Sequence, residues 1–195
     1  MIIMARKNEF QPDKPKSVLI NRLHLTRLQR KKLLKWVLYS LVLLALSLVQ
    51  DVMLCHFRVL GASTDLVPCA IFLICLLEGM ESGSLFALIS SAIYLFSGSA
   101  PGIYALVLLT FIAIFASYFR QSFLQKGFSA AMLCTVLSLF LYELLVFAFG
   151  LFLGQAQPGW ILSFVLTAGM TSLTAPILYP VLIKIGSIGG DVWKE

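Results

Sequence analysis

Long apolar runs alternate along this chain with short breaks of glycine, serine, proline or charge, and six such runs can be marked. The first extends from about Trp36 to His56 and carries Gln50, Asp51, His56 and Arg58 in or just past its last turns. The second is irregular. Asp65 and Pro68 stand near the start of LVPCAIFLICLL, whose strictly apolar part is about a dozen residues, so this helix is expected to extend backwards or to be broken. The third, SLFALISSAIYLF, is also short, and Gly83, Ala87 and Ser91 fall four apart on one face, which permits close helix contact. SGSAPG then turns the chain, with Gly supplying positive φ and Pro fixing its own. The fourth run covers about Gly102 to Phe119 and stops at Arg120 and Lys126; the fifth covers about Phe128 to Phe152 with Glu143 inside it. After the polar GQAQPG comes the sixth, about Trp160 to Ile183, in which Pro176 and Pro180 are expected to kink or loosen the helix.

A helix of about 20 apolar residues crosses the roughly 30 Å hydrocarbon layer. The pattern therefore predicts an all-α integral membrane protein with about six transmembrane helices. Residues 1–35 form a basic N-terminal tail and lead-in helix, 36–185 a compact membrane domain, and 186–195 a short tail. Composition agrees, since a chain of 195 residues with 59% apolar and 12% charged side chains has no soluble core large enough to enclose its apolar surface. Residues 1–16, with two prolines among charges, read as a mobile tail, and Ser17 is placed to cap a helix leading to Trp36. Arg27 and Lys31 share a helical stripe with Ile20 and Leu23, so this segment makes a cytoplasmic lead-in and a poor interfacial anchor. The basic lead before the first run argues for a retained anchor over a cleaved signal peptide.

Charge sets the orientation. Ten of the fifteen Lys and Arg residues lie between Arg6 and Lys35, and the net charge is +6. With the N-terminus cytoplasmic, Arg120, Lys126, Lys184 and Lys194 join the tail on the inner side and Arg58 alone falls outside. Fourteen against one is a strong positive-inside bias, and Glu78 and Glu81 in the inner turn count little against it. Both termini are expected in the cytoplasm. Beside a membrane segment, this topological role accounts for the basic tail without nucleic acid.

On that orientation Asp51, Asp65, Tyr104, Tyr142 and Glu143 all lie in the outer half, together with the turn residues Ser97, Ser99 and Pro101. A carboxylate facing lipid costs about 2.5 to 3.5 kcal/mol on insertion scales, so Glu143 is expected to face the bundle interior, be protonated or find a cation such as Arg58 or His56. Two readings stay open: a polar clamp that fixes helix packing, or an outer groove for a ligand or a partner's segment. A proton path is a third, weakened by the lack of a chain of acids across the membrane. Catalytic signals are missing. His24 and His56 are the only histidines, and there is no H-E-x-x-H and no G-x-S-x-G at a helix start. Cys55, Cys69, Cys75 and Cys134 sit in apolar runs without a C-x-x-C pair, so no metal site, cofactor or disulfide framework is expected.

The order of features from Gly61 to Gly150 resembles the rod shape-determining protein MreD family. GASTDLVPCAIFLICL, the Gly79-to-Gly83 turn, LFSGSAPGIYALVLLTFIAIFASYFRQ and LYELL with Glu143 carry the resemblance. It departs at Tyr94, where the family often has an acid, and at Glu78 and Glu81, where it often has basic residues. The resemblance implies a non-catalytic subunit of the bacterial cell-elongation complex in the cytoplasmic membrane. It would pair with the single-span protein MreC and work with cytoskeletal MreB, a glycan polymerase and a transpeptidase. It also implies a bundle similar to the substrate-binding subunits of energy-coupling-factor transporters, which supplies the alternative: a vitamin-binding transporter subunit. Such a subunit is expected to dock its coupling partner through small residues four apart on the first span, and WVLYSLVLLALSLVQ has no Ala-x-x-x-Ala.

Overall fold

A computed structural model describes residues 27–54, 62–123 and 127–188, which are helical apart from short connecting segments. The tail through residue 26, Cys55, His56, Arg58, Gly61, Lys126 and Lys194 lie outside the described residues. In order come α1 (Arg27–Val52), α2 (Leu66–Glu78), α3 (Met80–Phe96), α4 (Ile103–Phe123), α5 (Phe128–Phe152), a one-turn 3₁₀ helix (Pro158–Trp160) and α6 (Ile161–Ser187). Among the described residues α1, α4, α5 and α6 are long and apolar enough to cross a membrane, whereas α2 and α3 are shorter apolar helices. The chain is a multi-pass membrane protein whose described residues fold into helices. Large apolar side chains on the outside of the bundle, including Leu41, Leu85, Phe111, Leu144 and Leu173, fit a lipid surround.

The second apolar run explains the arrangement. LVPCAIFLICLLE is apolar on every side, and a helix of that kind is stable only when enclosed on every side. Twelve of the 13 residues of α2 are buried, and the helix packs against all five others. Pro68 falls in its first turn, where a missing N–H costs nothing. At about 1.5 Å per residue α2 is only about 20 Å long. Of the two expectations, extension backwards or a break, the helix is not extended, because residues 62–65 are non-helical up to Asp65, with Ala62 and Thr64 buried. Non-helical backbone at this depth is tolerated where protein or a polar cavity surrounds it.

Both ends of α2 are held by other helices. At its start the Gln50 side chain donates to Asp65 Oδ1 (3.1 Å) and accepts from the Val67 N–H (3.1 Å), while the Asp65 N–H donates to Thr171 Oγ1 (3.0 Å). At its end the Cys75 carbonyl accepts from Ser117 Oγ (3.0 Å) and the Leu76 carbonyl from the Arg120 guanidinium. The Cys75 carbonyl also takes the capping Gly79 N–H (3.1 Å), so Ser117 is its second donor, while the Leu76 carbonyl is one that a helix C-terminus leaves without an intrahelical partner, and a cation there also suits the helix dipole.

Gly79, with φ +86°, breaks the helix and lets α3 fold back along α2. The small stripe works as its spacing suggests. Gly83, Ala87 and Ser91 are all buried, and a Cβ on Gly83 would come within 2.9 Å of the Cys75 Cα and carbonyl. SGSAPG is the turn expected between α3 and α4, with Gly98 at φ +80°. α5 has the bounds that the pattern predicts; α1 begins nine residues earlier than the first run, at Arg27, so the described part of the lead-in is continuous with the span. α6 runs unbroken through Pro176 and Pro180, so neither proline ends it.

Candidate functional site

Two adjoining cavities open at the end of the bundle where α1 stops and α2 begins. The larger, about 490 Å³, is lined by the 63–65 segment, the α3–α4 turn, α5 and the start of α6. The smaller, about 330 Å³, lies between the end of α1 and the same turn and shares Ser63, Asp65 and Ser99 with the first. The shortness of α2 makes this space, since the depth that a longer helix would fill is given over to a polar hollow.

Each wall has a local cause. In α5 the buried positions Cys134, Thr135, Ser138, Leu139, Tyr142, Glu143, Val146 and Phe147 follow the three-and-four spacing of one helical face. Glu143 lies on that stripe, four residues after Leu139, so it turns inward and is 5% exposed. Tyr142 is 1% exposed, packs edge-on against Phe72, and its hydroxyl has no hydrogen-bond partner among the described residues. Pro158–Trp160 places Trp160 at the rim, and α6 continues down the cavity with Ser163, Phe164 and Thr167.

Asp65 is the hub between the cavities. Besides the Gln50 amide, it accepts from the Tyr94 hydroxyl at 3.5 Å. Asp51 is exposed at the end of α1 and accepts from Ser99 Oγ at 2.5 Å, and Ser99 is 3.1 Å from Ser97 Oγ. Pro101 lines the larger cavity, and its carbonyl accepts from the Tyr104 hydroxyl at 3.4 Å. Tyr104 itself stands behind the wall, stacked on Phe149 with ring centroids 6.0 Å apart. Comparisons with protein-family models, curated proteins and solved structures give no match.

The geometry therefore brings Asp51, Asp65, Ser97, Ser99, Pro101, Tyr142 and Glu143 to one mouth, sets Tyr104 against its outer wall, and leaves Arg58 outside the described residues. Among the described residues lining both cavities every ionisable side chain is an acid or a phenol, with no Lys, Arg or His. No group of three or more His, Cys, Asp and Glu side chains converges to hold a metal ion among the described residues. The hollow can accept hydrogen bonds and positive charge.

Sequence reasoning passed over Ser63, Trp160, Ser163, Phe164, Thr167 and Thr171. A signal for three of them was present, because Ser163, Thr167 and Thr171 recur every four residues in an otherwise apolar helix and so share one face. Ser163 and Thr167 line the cavity, and Thr171 holds the Asp65 backbone.

Proposed function

We propose that the protein is a non-catalytic membrane scaffold subunit of the bacterial cell-elongation complex. It crosses the cytoplasmic membrane six times with both termini inside, and receives the membrane-proximal segment of a single-span MreC-like partner at the cavity beside Glu143. One observation carries the choice of site. Residues of the LYELL, SGSAPG and GASTDLVP motifs, which carry the MreD resemblance, line one polar hollow: Tyr142 and Glu143, Ser99 and Pro101, and Ser63 and Asp65. The fold-back of α3 along α2 at Gly79 supports two short crossings, because the enclosed α2 need not match the full bilayer thickness and the exposed apolar side chains of α3 fit lipid. Through its partner such a subunit links MreB filaments to the glycan polymerase and transpeptidase outside.

Affinity purification in mild detergent, with identification of co-eluting membrane proteins, tests this reading. An MreC-like protein should co-elute with the parent chain and be lost with Glu143→Leu at unchanged folding. Retention of the partner by that variant assigns the contact elsewhere, and its absence from the parent eluate removes the scaffold role.

The cavity also favours a second reading, a vitamin-binding subunit of an energy-coupling-factor transporter, since hydroxyls from Ser63, Ser99, Ser163 and Thr167 surround a ligand-sized space. Tight binding of a vitamin by the purified protein selects it.

A further inference from the structure

Among the described residues the hollow at the mouth is unbalanced in charge and in hydrogen bonding. Asp65 and Glu143 line the larger cavity and Asp51 the smaller, against no described cation in either wall. The Tyr142 hydroxyl is enclosed at the same site without a partner among the described residues. An unpaired polar group buried in protein is costly, and carboxylates deep in a membrane protein more so. A guest that brings positive charge and N–H donors relieves both at once, since carboxylates accept only and a phenol oxygen has lone pairs to offer.

The rest of the lining narrows the guest. Trp160, Phe164 and Tyr142 give the cavity aromatic walls, and aromatic faces attract organic cations. The donor set lacks the three converging ligands that a metal ion needs among the described residues. About 490 Å³ exceeds what a bare ion fills and lies within the range of small-molecule sites.

We infer that this cavity is a binding site for an organic cation, a guanidinium or alkylammonium group held between the Glu143 and Asp65 carboxylates with the Tyr142 hydroxyl as a further acceptor. This deepens the scaffold reading at the same site and rests on it only for the source of the cation, which is then a basic side chain of the single-span partner. A free amine is the other source.

The test uses methylguanidinium and its neutral isostere methylurea, titrated calorimetrically into the purified full-length protein in detergent at constant ionic strength. Saturable binding of methylguanidinium, with methylurea at least about tenfold weaker, is expected. Glu143→Gln should weaken methylguanidinium about thirtyfold, the factor for removing one charge from a buried pair. Equal affinity for the two compounds, no saturation by methylguanidinium, or displacement by sodium chloride at matching concentration overturns the site, and these outcomes need no variant to fold. The source follows from the purified complex. Loss of methylguanidinium binding when the partner is present, restored when the partner's extracytoplasmic Arg and Lys residues are changed to Gln, assigns the cation to the partner. Binding that persists in the complex assigns a free amine. If no partner co-purifies while methylguanidinium still binds, the scaffold reading fails and the cation site stands.

Discussion

Lys35 Nζ lies 2.6 Å from Glu78 Oε2, and the two side chains are only 4% and 5% exposed. The pair joins the first turns of α1 to the last residue of α2, and the Tyr39 hydroxyl donates to the other Glu78 oxygen at 2.8 Å. Removing either charge leaves the other buried and unpaired. Lys35→Met and Glu78→Leu are each expected to cost about 3 kcal/mol or more, while the double variant recovers most of that loss. Thermal unfolding in detergent reads the cycle, and a double variant that loses the sum of the two singles shows the charges to be independent.

The same substitution at two glycines should act with opposite sign. A Cβ on Gly83 meets the Cys75 backbone at 2.9 Å, and backbone cannot rotate away, so Gly83→Ala pushes α3 off α2 and is expected to destabilise by about 1 to 3 kcal/mol. Gly169 in α6 has nothing within 4 Å of its would-be Cβ, so Gly169→Ala is expected to be neutral or stabilising by about 0.5 kcal/mol. Equal melting temperatures for the two variants would show that α2 and α3 do not pack this closely.

Much of this architecture can be read from hydropathy because each long run must be a helix in lipid, and Gly and Pro mark where helices stop. The Phe128–Phe152 helix and the SGSAPG turn follow in that way. The cost of a carboxylate facing lipid leaves an inward-facing Glu143 as one of three alternatives in the sequence, and the buried stripe of α5 shows that it faces inward. Long-range pairing was not legible. Lys35 reads as one more inner positive charge and Glu78 as a turn residue, and only the packing of α1 on α2 makes them partners across 43 positions. The same holds for Gln50, whose amide serves a helix that begins sixteen residues later. The true length of α2 was hidden too, because Asp65 and Pro68 are compatible with either a break or a longer helix until the 62–65 segment is seen to lie against Thr171.

Gln50 carries a prediction of its own. Its amide donates to Asp65 and accepts from Val67, so one buried side chain fixes both the carboxylate at the mouth and the first turn of α2. Gln50→Leu keeps the bulk but removes both bonds, and is expected to cost about 1 to 3 kcal/mol by leaving a buried N–H without its acceptor. Gln50→Glu keeps the acceptor and should set a second carboxylate against Asp65, so it is expected to be no more stable than Gln50→Leu. A Gln50→Glu variant as stable as the parent would place the amide donor bond among the dispensable contacts.

Tyr142 should behave differently from the other buried tyrosines. Its hydroxyl has no partner among the described residues, so Tyr142→Phe removes a desolvated polar atom and is expected to leave stability unchanged or raise it by up to about 1 kcal/mol. Tyr39→Phe removes a donor from the buried Glu78 carboxylate and is expected to cost about 1 to 2 kcal/mol. Parallel melts of the two variants give the comparison, and a marked loss in Tyr142→Phe would mean that the hydroxyl is already satisfied in the free protein.

The two ends of the bundle differ in charge chemistry, and this gives a test of orientation. Lys35, Arg120 and Lys184 gather where α2 ends, while Asp51, Asp65 and the cavity mouth gather where it begins. If the basic end is cytoplasmic, as the positive-inside bias requires, a cysteine at Gln155 in the exposed α5–α6 turn reacts with a membrane-impermeant maleimide on intact cells. A cysteine at Glu81, exposed just past Gly79, then reacts only after permeabilisation. Cys55 is replaced by Ser in both variants, and Cys69, Cys75 and Cys134 are buried and should stay silent. Labelling of Glu81→Cys on intact cells would invert the bundle and put the acidic mouth in the cytoplasm. Labelling of both variants from outside would contradict antiparallel crossings altogether.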